Sequence, residues 1–68
     1  MKALLYILFL LNGDPTKPVW KPFGLVDMSA CMAGSGVQAT ASQFVKEDPR
    51  FTFGLRWRCT VGPEGRDA

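Results

Sequence analysis

From position 50 to position 61 the chain alternates without a break. Phe51, Phe53, Leu55, Trp57, Cys59 and Val61 are apolar, and Arg50, Thr52, Gly54, Arg56, Arg58 and Thr60 stand between them. A period of two over this length is the signature of a long β-strand with one face turned to a core. The whole chain has 68 residues, which is near the lower limit for a single hydrophobic core and leaves room for one small domain. Hydrophobic residues make up 47% and charged residues 21%, a globular balance rather than a disordered one. The elements that complete the core must therefore lie in residues 1–49.

The first of them is the run Ala3-Leu4-Leu5-Tyr6-Ile7-Leu8-Phe9-Leu10-Leu11 behind Met1-Lys2. Its start looks like the charged and apolar regions of a secretory signal, but no small-residue cleavage site follows it. It is also too short for a membrane-spanning helix, which takes about 20 residues. A strand is the better reading, because Asn12-Gly13 behind it is a strong two-residue hairpin signal and Asp14-Pro15 extends the turn. Residues 16–23 then form a second strand. Pro18 and Pro22 forbid it a central place, and their equal parity puts both missing N–H groups on one side, away from strand one. The second strand is thus an edge, and one that is a poor template for further pairing.

Asp27 can cap a helix whose apolar face is Ala30, Cys31, Gly34, Val37, Ala41, Phe44 and Val45. That helix ends near Lys46 or Glu47, since Asp48 precedes Pro49 and is pushed out of the α region. Its weak point is Ala33-Gly34-Ser35-Gly36, where each glycine costs about 1 kcal/mol against alanine. Ser35 and Gln38 have the spacing of a capping box, so a short first helix followed by a second is the alternative. The glycines lack the lysine and spacing of a phosphate loop, and close packing of helix on sheet is the better reason for them.

Strand, strand, helix, strand assembles into a single α+β domain over residues 1–62, with a frayed tail at 63–68. The expected sheet is three-stranded and antiparallel in the order 2-1-3, with the helix on one face. In that topology the helix start and the end of the last strand meet, which brings Cys31 and Cys59 together. Two cysteines are too few for a structural zinc site, and their spacing is not that of a redox pair. A disulfide is expected, worth roughly 3–4 kcal/mol on the chain-entropy estimate. It implies an oxidising compartment (periplasm, extracellular space or virion); free thiols would imply the cytoplasm.

What remains concerns function. The chain has no histidine, which removes imidazole acid–base chemistry and the usual nucleophile pairs. The carboxylates fall at turns, caps and the tail, and Glu47-Asp48 reads as a helix exit rather than an acid–base pair. No enzyme, cofactor or metal is expected. One helix can cover only one sheet face, yet strand one is apolar at both parities: Leu4, Tyr6, Leu8 and Leu10 on one side, Leu5, Ile7, Phe9 and Leu11 on the other. Unless the tail folds over it, the uncovered face must bury itself against a protein partner or a second copy, most simply as a dimer. The candidate surface comprises Tyr6, Leu8, Leu10, Trp20, Arg56 and Arg58, with the alternate-parity neighbours left open.

Two other partners fit overlapping residues. A membrane alternative makes residues 1–11 an interfacial helix. A nucleic-acid alternative uses Arg50, Arg56, Arg58, Lys17 and Lys21 with the indoles of Trp20 and Trp57 as a platform for a single strand. Against the latter, the net charge is only +2, and Trp57 falls on the opposite face from Arg56 and Arg58. Finally, the Met-Lys-apolar start, the turn, Cys31 near a helix start and Cys59 near the end of the last strand together resemble small uncharacterised proteins of bacterial viruses and prophages. That resemblance implies an accessory or virion-associated role and carries no site residues with it.

Overall fold

The computed structural model describes residues 1–61; the tail expected at 63–68 lies outside the described residues. The elements run β1 (Lys2–Leu11), β2 (Pro18–Asp27), α1 (Met28–Ala33), α2 (Val37–Glu47) and β3 (Phe51–Thr60). The three strands are antiparallel in the order β2-β1-β3, as the topology argument required. β1 is the central strand, so the apolar run at 3–11 is a strand and not an interfacial helix.

The hairpin turn has the chemistry its residues call for. Asn12 and Gly13 both have positive φ, at 55° and 71°, and the Asp14 N–H donates to the Leu11 carbonyl at 3.0 Å, a tight turn that opens a longer loop over residues 12–16, since it is Lys17 and not Asp14 that pairs with Leu11. Asp14 then accepts from the Thr16 hydroxyl at 2.7 Å and the Thr16 N–H at 2.9 Å. Those two bonds hold its carboxyl below the usual carboxylate range. The Leu11 N–H donates to the Lys17 carbonyl, so odd residues of the returning strand face β1 and the Pro18 and Pro22 nitrogens face outward.

The odd side chains of β1 point at the helices. Ala3, Leu5, Ile7 and Phe9 are buried there with Cys31, Val37, Ala41 and Phe51, and Leu4, Tyr6, Leu8 and Leu10 are half-buried on the other side. The parity of β1 that composition left open is thereby settled. Phe9 is the hub of the core: its ring centroid lies 4.5 Å from that of Phe44 and 6.0–6.4 Å from those of Phe23, Phe51 and Phe53.

Three expectations are corrected. The continuous helix from residue 28 to 47 is instead two helices, because Gly34 at φ 75° ends α1. The Ser35 N–H reaches the Ala30 carbonyl at 2.9 Å and the Gly34 N–H the Cys31 carbonyl at 3.0 Å, the pair of bonds of a Schellman turn. The Ser35–Gln38 capping box is not formed: Gly36 caps α2 without a side-chain bond. Nor does the Asp27 side chain cap α1; it pairs with Lys2 at 3.1 Å. The second correction is that β2 does not stop at Phe23. It runs on to Asp27 through a bulge at which Phe23 and Gly24, the latter at φ 92°, stand opposite Leu5 alone. One extra residue reverses the parity, so Val26 turns to the core and Leu25 is 69% exposed.

The third correction falls on β3. Phe53 is opposite Phe9 and Trp57 is opposite Ile7, so four steps along β3 match two along β1. The surplus is taken up at residues 54–56, where Leu55 adopts φ 62° and swings out to 77% exposure. It is not the core residue its parity suggested. A two-residue surplus restores parity, and Trp57 and Cys59 return to the helical side.

Cys31 and Cys59 form the expected disulfide, with a Cα separation of 6.1 Å. Beside it the Trp57 Nε1–H donates to the Cys31 carbonyl at 2.8 Å, and the indole lies so close over Gly34 that a Cβ there would sit 2.8 Å from the ring. The close-packing reading of the glycines therefore holds at Gly34. It fails at Gly36, where nothing lies within 4 Å.

Candidate functional site

The sheet face away from the helices is built from β1 outward. Leu4 lies between Leu25 and Thr60, Tyr6 between Pro22 and Arg58, and Leu10 between Pro18 and Thr52. Leu8 lies beside Trp20 and fills the space left by Gly54, where a Cβ would come 2.8 Å from its Cγ. The hydroxyls of Thr52 and Thr60 are turned back to the β1 carbonyls of Leu10 and Leu4, at 3.4 Å. The polar atoms of the face are thus partly consumed by the sheet itself, and what it presents is leucine, proline and aromatic surface.

Cations border this surface on one side. The Arg58 guanidinium reaches across β1 and stands 4.7 Å from the Trp20 ring centroid, inside the range of a cation–π contact. Arg56 is exposed within the bulge. Among the described residues neither arginine has a carboxylate within ion-pair distance. At the far end of the sheet Lys2 and Asp27 neutralise each other.

The structure thus brings five of the candidate residues, Tyr6, Leu8, Leu10, Trp20 and Arg58, to one face, while Arg56 stands in the bulge at its border. It adds Leu4 and Leu25, and the protruding Leu55 at its border. Leu25 and Leu55 were missed because each sits at a bulge. The only sign of either in the sequence is a lone glycine inside a strand, at Gly24 and Gly54. The expected separation of stacking ring and cation holds between Trp57 and Arg58 but is incomplete, since Trp20 supplies an indole on the Arg58 side.

The remaining charged groups look elsewhere. Asp48 is held below the usual carboxylate range by the hydrogen bonds from Arg50, whose own pKa the contact raises. The pair is two-pronged, with Nε to Oδ1 and Nη2 to Oδ2 both at 2.9 Å. Glu47 accepts from the Gln43 side-chain amide at 2.9 Å, so the adjacent acids serve different neighbours. Among the described residues no three His, Cys, Asp or Glu side chains gather as metal ligands, and no helix is long and apolar enough to cross a membrane.

No family model, curated protein or solved structure matches the chain.

Proposed function

We propose that this protein is a small non-enzymatic interaction module that closes its open sheet face against a protein partner, a second copy being the simplest one. The observation that carries this reading is the continuous apolar strip Leu4, Tyr6, Leu8 and Leu10, flanked by Trp20 and Leu25, on the side that neither α1 nor α2 covers. Three strands of ten residues make a platform of roughly 14 Å by 33 Å, which buried on two partners approaches the ~1,000 Å² of the smallest specific interfaces. Side chains of this type in contact over such an area gain more from each other than from water. A viral accessory role is compatible with such a module and adds no residue to it.

The test is the solution mass as a function of concentration, by light scattering under non-reducing conditions. Wild-type protein should associate, and the double variant Tyr6→Lys/Leu10→Lys should remain monomeric with an unchanged circular dichroism spectrum. A monomer at every concentration would remove the second copy as partner. Loss of the spectrum in the variant would assign the face to the core instead.

A second reading, a platform for single-stranded nucleic acid, is favoured by one observation, the Arg58 guanidinium 4.7 Å from the Trp20 ring centroid, with neither Arg58 nor Arg56 ion-paired among the described residues. Stacked arginine and indole are the groups such platforms use. Retention of the protein on an immobilised oligothymidylate should then fall by about tenfold or more in the Arg56→Glu/Arg58→Glu variant and weaken steeply with salt. Equal retention of wild type and variant would dispose of it.

A further inference from the structure

β3 is held to the molecule in two different ways along its length. Before the bulge Phe51 and Phe53 belong to the phenylalanine cluster around Phe9, and Gly54 is pinned under Leu8. Beyond it Leu55, Arg56, Trp57 and Arg58 are exposed, and Cys59 and Thr60 are half-buried. This distal half pairs with β1 alone, through Tyr6↔Arg58, Leu5↔Cys59 and their neighbours. Its other attachments are the indole bond from Trp57 to the Cys31 carbonyl and the disulfide, both to α1, and the Arg58 guanidinium over the Trp20 ring on β2. α1 in turn has six residues and one buried side chain, Cys31 itself. Such a short helix contributes little stability of its own.

We infer that the Cys31–Cys59 disulfide is a latch: when it is reduced, α1 and the distal half of β3 come away together, turning at residues 54–55, while the phenylalanine cluster, α2 and the hairpin end of β1 and β2 stay folded. Three features meet in this. Of the buried core residues only Cys31 belongs to the segments that would move, the others lying in β1, α2 and the first residue of β3, and sub-global openings are drawn from such segments. The point about which they turn already holds a leucine at positive φ, a conformation that an extended segment relieves. And the boundary coincides with a change in what the strand is packed against, not merely with a gap in its ladder.

The chemistry is thiol–disulfide exchange with a dithiol reductant. Cys31 is 1% exposed and Cys59 is the more open of the two, so the reductant's thiolate attacks Cys59 Sγ and the Cys31 sulfur leaves as a thiolate. The second thiol of the reductant then displaces Cys59. The reductant ends as a disulfide, and the two protons it gives up reside on the two cysteine thiols. The released segment carries Arg56 and Arg58 away from Trp20, so the cationic side of the open face exists only in the oxidised protein. That last consequence, for binding, rests on the reading of the open face as the interaction surface; the latch does not.

Amide hydrogen exchange of the full-length protein, oxidised and in excess dithiothreitol, tests it, with Cys31→Ala/Cys59→Ala as a variant that needs no reductant. Amides in residues 28–33 and 55–61 should exchange about tenfold faster or more once the bond is gone, while those in 8–11, 18–23 and 37–47 keep their protection. Unchanged exchange in 55–61 would overturn the latch, and so would simultaneous loss of protection in α2 and β2, which would make the disulfide a support of the whole fold. Light scattering on the same samples separates the two proposals: a protein that opens as described but never associates upholds the latch and sinks the interaction surface.

Discussion

Phe9→Ala should cost about 3–5 kcal/mol, the range for removing a large aromatic ring from a core. The ring is fully buried and lies at the centre of Phe23, Phe44, Phe51 and Phe53, contributed by both outer strands and α2. None of those neighbours can collapse into the gap without leaving the other three. A domain of this length has a net stability of roughly 3–10 kcal/mol, so the variant should be largely unfolded in urea concentrations that leave the wild type intact. Phe9→Leu should cost about 1 kcal/mol. Leu10→Ala, one residue on but facing the open side, should cost less than Phe9→Ala by at least ~2 kcal/mol, because Leu10 is only half-buried. Equal losses at positions 9 and 10 would mean that both faces of β1 are core, and with it that the open face is no free surface.

The second large effect separates two glycines that look alike. Gly34 and Gly36 have φ values of 75° and 77°, and alanine pays about 1–2 kcal/mol for that conformation at either. Only at Gly34 does the new methyl group meet a wall, the Trp57 indole at 2.8 Å. Overpacking of this kind adds about 1–3 kcal/mol. Thermal denaturation should therefore rank Gly34→Ala well below Gly36→Ala, and the excess should vanish when Trp57 is shortened to alanine in the same chain, since the two penalties share one contact. A Gly34→Ala protein as stable as Gly36→Ala would mean that the indole gives way without cost.

These two positions also show how far the residues alone could be read. The alternation at 50–61 and the Asn12-Gly13 turn are local signals, and each specifies its element regardless of what surrounds it. Once the strand directions followed, the sheet order and the meeting of Cys31 with Cys59 followed too. The bulges resisted because they are decided by the partner strand. In β3 the surplus is even, so the pattern of apolar residues passes through it undisturbed and conceals that Leu55 has left the core. In β2 the surplus is odd, and Leu25 and Val26 exchange faces with only Gly24 to announce it. Trp20 over Arg58 lies further out of reach still, since it joins two strands that never pair and depends on the register of each against β1.

The prolines of β2 have a bearing on how large an assembly of this chain can grow. A sheet lengthens into a fibril by adding the same edge-to-edge step endlessly, which requires both borders to accept main-chain hydrogen bonds. Here one border lacks two of its donors, at Pro18 and Pro22, while the proline-free β3 forms the other. Among the described residues, main-chain pairing between copies is therefore hindered more at β2 than at β3, and β3 against β3 would be a two-fold contact, which closes on itself rather than repeating.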